Sequence, residues 1–218
     1  MKEHGILMTP GNTTAIDEGR KGMTRRLTGL AEINKEPDRW TIIGSLSGGS
    51  SCETVVFEDD HCERRTVRAP YAVGDRLYIK EPYQITEGDL DTYRVWGKYQ
   101  RDYKDFSVGL TVDEFTRWFK RKNRFGRTSG MFMYKSLARK WLKVTAVRVE
   151  RLQDISEDDA IAEGVTLVKH IDEGGHWEFM GFQTDTPLEA FFDGWHSLHG
   201  DDKNEWVRVV TFEKIVKE

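Results

Sequence analysis

Gly19-Arg20-Lys21-Gly22-Met23-Thr24-Arg25-Arg26-Leu27 packs four cations and one hydroxyl into a short turn, a composition suited to meeting an anion. Upstream, Asn12–Glu18 predicts a short helix, with Asn12 or Thr13 as its cap and Asp17 or Glu18 at its end. Gly19 is the natural stop, since glycine takes the left-handed conformation after a helix without steric cost. Arg20 and Lys21 then fall at the negative end of the helix dipole, which is also the ordinary place for basic residues after any helix. Lys21 and Thr24 are three residues apart, so one helical turn would put them on one side of the backbone, whereas a strand would not force them together.

Outward from this turn, composition sets the limits. A chain of 218 residues with 38% hydrophobic content can bury one core, and nothing in its composition requires a second domain. The net charge of −4 argues against a basic coat over the whole molecule, so any nucleic-acid binding has to use a local patch. No apolar run is long enough to span a membrane, and Met1–His4 leads into no signal-peptide core; the expectation is a cytoplasmic protein with no membrane partner. Cys52 and Cys62, with His61 beside the second, are too few for a structural zinc site, so no metal and no cofactor is expected.

Further along, Ile6-Leu7-Met8 predicts a buried strand. Trp40–Ile43 and Thr54–Phe57 predict a hairpin around the flexible turn Gly44–Ser51, inside an insertion of about 29–68. Arg76–Glu81 alternates as a half-buried strand; Glu81, just before Pro82, can reach into a pocket, carry a solvated charge or pair with an Arg. A second insertion, about 86–130, contains an amphipathic helix over Thr111–Lys120 with a Thr111/Glu114 capping box and an apolar stripe of Val112, Phe115, Trp118 and Phe119. Arg117, Lys120, Arg121, Lys122, Arg124 and Arg127 follow its end with Phe119 and Phe125 interleaved, read either as a solvated helix end or as cations and rings that track a nucleic acid. Trp141–Leu152 and Glu205–Ile215 alternate as strands. Ser156 caps a helix ended by Gly164, with Asp159 in the capping-box position. Glu163 thus lies at that helix's negative end, either a surface carboxylate or a group placed to accept a proton. Thr166–Thr186, with His170 and His176, reads as a polar loop, and Thr186-Pro187 opens a helix to Leu198. Pattern alone gives the α+β class.

Three motifs occur in order: Gly19-Arg20-Lys21-Gly22-Met23-Thr24-Arg25-Arg26, Gly74-Asp75-Arg76-Leu77, and Ala160-Ile161-Ala162-Glu163-Gly164. Together they resemble the ASCH-domain family of PUA-like proteins, in particular its longer phage and prophage type, with Gly22 where a threonine is usual. Met133–Arg139 is similar to a further family segment, keeping cations at Lys135 and Arg139 but carrying Tyr134 and Ser136 where that segment has proline and tryptophan. The resemblance implies one PUA-like mixed β-barrel over 1–218 with flanking helices and the two insertions.

For function, the resemblance implies RNA or a modified nucleoside as partner. In the amidohydrolase branch, which acts on N4-acylated cytidines, Thr24 would be the nucleophile, Lys21 its base and Glu163 the acid or base for water and leaving amine. Arg20, Arg25 and Arg26 would hold the oxyanion or substrate, with Glu81, Lys135 and Arg139 as further binding residues. A lysine serves as base only where burial or nearby cations lower its pKa. The alternatives are a non-catalytic RNA-binding module or ribonuclease, and an accessory protein acting through protein contacts.

Overall fold

A computed structural model describes residues 1–46, 54–122, 125–170, 174–200 and 204–216. The chain forms two compact units, one of Met1–Lys2, Thr14–Asp75 and Lys143–Lys214, the other of Glu3–Thr13, Arg76–Leu142 and Ile215–Glu218. The class is mixed α+β, and no described helix is long and apolar enough to cross a membrane. The strand orders are open among the described residues, so the barrel closure implied by the resemblance is not seen there.

Strand Trp206–Ile215, which belongs to the first unit as far as Lys214, lies between Trp141–Arg151 and Met23–Arg26. Trp206 to Val210 are all buried, which departs from the half-buried alternation expected of this strand. Arg208 is tolerated in that run because its guanidinium donates to the backbone carbonyls of Thr28 (2.6 Å) and Arg68 (3.3 Å). One core packs Met23, Val207 and Val209 against Phe179, Phe191 and Trp195; another gathers Leu30, Ile33, Trp40, Val55, Phe57 and Trp206. The stretch expected as the 29–68 insertion therefore supplies a core of its own. Its hairpin forms as Thr41–Leu46 and Thr54–Glu58, and Arg64–Arg68 adds a third strand. Most of the turn Gly44–Ser51, together with Cys52, lies outside the described residues.

Thr166–Thr186 is not a loop. Strands Thr166–His170, Gly174–Phe179 and Phe182–Thr184 pair as an antiparallel sheet. The signal was present: Trp177 and Phe179 recur with period two and both pack on the core that contains Phe191. Asp172 and Glu173 of that stretch lie outside the described residues. The following helix, Pro187–His199, has the expected Thr186 cap, its side chain accepting from the Glu189 N–H.

In the second unit, Glu3–Leu7 runs parallel to Arg76–Lys80, and Tyr83–Asp89, Arg94–Tyr99 and Asp105–Gly109 form an antiparallel sheet edged by Arg127–Thr128. Helix Val112–Phe119 carries both halves of the expected capping box. Its stripe divides: Phe115 and Trp118 join Tyr83, Val95 and Tyr99 in the core, while Val112 and Phe119 face solvent. Most of the expected 86–130 insertion is thus the body of this unit. Helix Pro10–Asp17 starts earlier than expected, and its cap is Thr9, whose hydroxyl accepts from the Asn12 N–H at 3.2 Å, rather than Asn12 or Thr13.

Candidate functional site

Gly19 has φ of +74° and turns the chain out of the helix as its residue type demands. The Gly22 N–H donates to the Ala162 carbonyl at 3.0 Å and its carbonyl accepts from Phe212 at 2.9 Å. These two backbone bonds hold the 19–22 turn between the end of helix Glu157–Ala162 and strand Trp206–Ile215. The side chain of Lys21 is delivered to the helix terminus.

There the Lys21 amine donates to the Glu163 carboxylate at 2.7 Å and also to the Glu163 backbone carbonyl. It both neutralises the acid and caps the last turn. Lys21 side-chain exposure is 1%, and burial pushes its pKa below the ordinary 10.5, with the Glu163 charge pulling the other way. The Glu163 carboxylate also accepts from Arg25, at 3.3 Å. Arg25 goes further, donating to Glu150 at 2.6 Å and Asp159 at 2.7 Å with its side chain fully buried over the Phe191 ring. Arg148 closes the network on Glu150 and Asp159. Asp159 keeps only its backbone N–H for the Ser156 cap; its carboxylate is spent on Arg25 and Arg148.

Thr24 is buried in strand Met23–Arg26, opposite Val210, and among the described residues no hydrogen bond joins its hydroxyl to Lys21. What forms is a Lys21–Glu163 ion pair with Thr24 on the adjoining strand, rather than a Lys21–Thr24 pair. Arg26 lies in the same neighbourhood. Burial lowers its pKa, opposed by the charges of Tyr71 and Glu163, while burial raises that of the Tyr71 phenol against Arg26 and Arg208. A tyrosine three residues before the Gly74-Asp75 motif carries no sequence signal of what lies across from it.

The other candidates fare unevenly. Arg20 is exposed, donating to Glu18 at 2.8 Å and to the Thr166 hydroxyl at 2.7 Å. Arg25 is enclosed by three carboxylates, so in this structure its guanidinium is engaged within the protein. Glu81, Lys135 and Arg139 belong to the second unit. Glu81 is buried and takes a two-pronged pair from Arg139 at 2.7 and 3.0 Å, with Lys140 at 3.5 Å and Arg101 at 3.8 Å. Of the three readings open for Glu81, pairing with an Arg is the one realised. Arg139 is occupied as well, since it donates to Asp102 and lies 3.9 Å over the Tyr99 ring. Lys135 reaches Glu3 at 2.8 Å and, with Arg76, Ser136 and Trp141, lines a cleft of about 170 Å³.

Glu150 and Arg148, on strand Trp141–Arg151, were not anticipated. Their signal was weak: alternating charge on the C-terminal half of a strand is what a solvated edge also shows. Comparison with family models, with curated proteins and with solved structures returns no match for this chain.

Proposed function

We propose that the first unit acts on RNA or a nucleoside at Lys21, Thr24 and Glu163, as an amidohydrolase of N4-acylated cytidine-type substrates, in the manner of the PUA-like ASCH proteins. The observation that carries this reading is a desolvated lysine, its pKa lowered by burial, held on a buried carboxylate three residues before a buried threonine. A lysine so placed exchanges its proton more readily than a surface one. In the reaction, Thr24 Oγ attacks the amide carbonyl carbon and its proton passes to neutral Lys21. The C–N bond breaks as the leaving amine takes that proton from Lys21; water then attacks the acyl carbon while Glu163 takes its proton, and Glu163 returns that proton to Thr24 Oγ as the ester C–O bond breaks and the acid leaves. In this reading substrate entry frees the Lys21 amine from Glu163, its partner in this structure, so that it can serve Thr24.

The test is release of cytidine and acetate from N4-acetylcytidine, followed chromatographically with a panel of other acylated nucleosides. Wild type should turn over, Thr24→Ser should keep part of the rate, and Thr24→Val, which keeps the volume, should lose it. If no acylated nucleoside is cleaved by the wild type, the hydrolase reading fails.

A further inference from the structure

The basic stretch after helix Val112–Phe119 is not used by the chemistry above. Between Glu114 and Glu150 the sequence contains no Asp or Glu, in a chain whose net charge is −4. Arg117, Lys120, Lys122 and Arg127 are exposed and Arg121 is half-buried. Among the described residues none of these five is ion-paired with a carboxylate, and the sequence adds Arg124, which lies outside the described residues.

 The acid nearest in sequence, Glu114, is engaged by Ser136 and by the Thr111 cap.

Aromatic rings share this face. Phe119, Phe125 and Phe132 are 42%, 44% and 60% exposed, with Met131 beside them in sequence at 57%. Phe119 and Phe125 both pack on Trp118, at centroid distances of 6.4 and 5.6 Å, and the Arg121 guanidinium lies 6.0 Å over the Phe132 ring. Phe119 and Phe125 are thus half-exposed rings backed by a buried tryptophan, and among the described residues the cations beside them have no acid partner that would neutralise them. A polyanion alone would need only the charges, and an apolar partner only the rings. Both together fit a flexible chain of phosphates with unstacked bases.

We propose that this face of the second unit docks single-stranded nucleic acid, through phosphate contacts from Lys120, Lys122 and Arg127 and base stacking on Phe119, Phe125 and Phe132. The surface stands whether or not the first unit hydrolyses acylated nucleosides. Rings and phosphate contacts do not read the sugar, so RNA and DNA strands should bind within a few-fold of each other.

The experiment is fluorescence anisotropy of the full chain with a labelled single strand of about 12 nucleotides, within the roughly 4–16 that such sites cover, over a range of NaCl concentrations. RNA, DNA and duplex forms of one sequence are compared. Lys120→Glu with Lys122→Glu should weaken binding by about tenfold or more and flatten its salt dependence. Phe119→Ala with Phe132→Ala should weaken binding about tenfold and leave the salt dependence in place. Circular dichroism and the thermal midpoint establish that each variant is folded, and single substitutions replace any pair that is not. Duplex bound as tightly as single strand, or ring variants that bind like wild type, would overturn the proposal, the latter leaving a plain polyanion patch.

Discussion

Two stretches of this chain look alike as sequence, Arg20–Arg26 and Arg117–Arg127, and the fold treats them in opposite ways. In the first, Lys21 and Arg25 are drawn into a buried network with Glu150, Asp159 and Glu163. In the second, the described cations stay at the surface beside half-exposed rings and without carboxylate partners. Density of positive charge is therefore no guide to availability. What decides is whether the fold brings carboxylates from more than a hundred residues away, as it does for Arg25. A buried cation paired on several sides, as Arg25 is, is held in position, whereas exposed ones attract ligands in a salt-dependent way.

Substitutions can break that contrast. The largest effect is expected at Arg25: Arg25→Ala leaves three carboxylates without their shared cation and should cost about 3–5 kcal/mol, read from urea unfolding. A loss below about 1 kcal/mol would place Arg25 with the surface cations instead.

Lys21 sharpens the contrast through pH. Its pKa is lowered by burial, so between its folded value and 10.5 the unfolded chain holds the proton more tightly than the folded one. Over that window this group makes stability rise with pH, and Lys21→Met should remove the rise. The hydrolysis rate should climb through the same window as Lys21 becomes the neutral base.

Smaller effects are expected in the second unit. Thr111→Ala removes the capping box of the helix that leads into the basic face and should cost about 1 kcal/mol in thermal or urea unfolding. Lys122→Ala should change stability by no more than about 0.5 kcal/mol, while lowering the salt dependence of nucleic-acid binding. A large stability loss there would mean that the exposed cation is structural after all.

Much of this was legible in the residues. Gly19 and Gly164 each have positive φ and end their helices, because backbone freedom is a property of the residue itself. The caps at Ser156, Thr111 and Thr186 were equally readable, since a cap and its partner are three residues apart. The first helix starts ahead of its expected position because Thr9, Asn12 and Thr13 are all competent caps, and Pro10 favours the first helical position after Thr9. The sheet over Thr166–Thr184 was missed because its polar and glycine residues hid a two-residue period in Trp177 and Phe179.

The candidate site divides along the same line. Lys21, Thr24 and Glu163 could be singled out by residue type and spacing, but the sequence could not show that Lys21 bonds to Glu163 rather than to Thr24. Nor could it show that Arg25 is enclosed by acids, or that Glu81 is held by Arg139. Local order determined the helices, their caps and most strands, because those depend on neighbours a few residues apart. Only the tertiary structure decided which charges are buried and which remain in water, because desolvation and pairing depend on groups that the chain brings together from a distance.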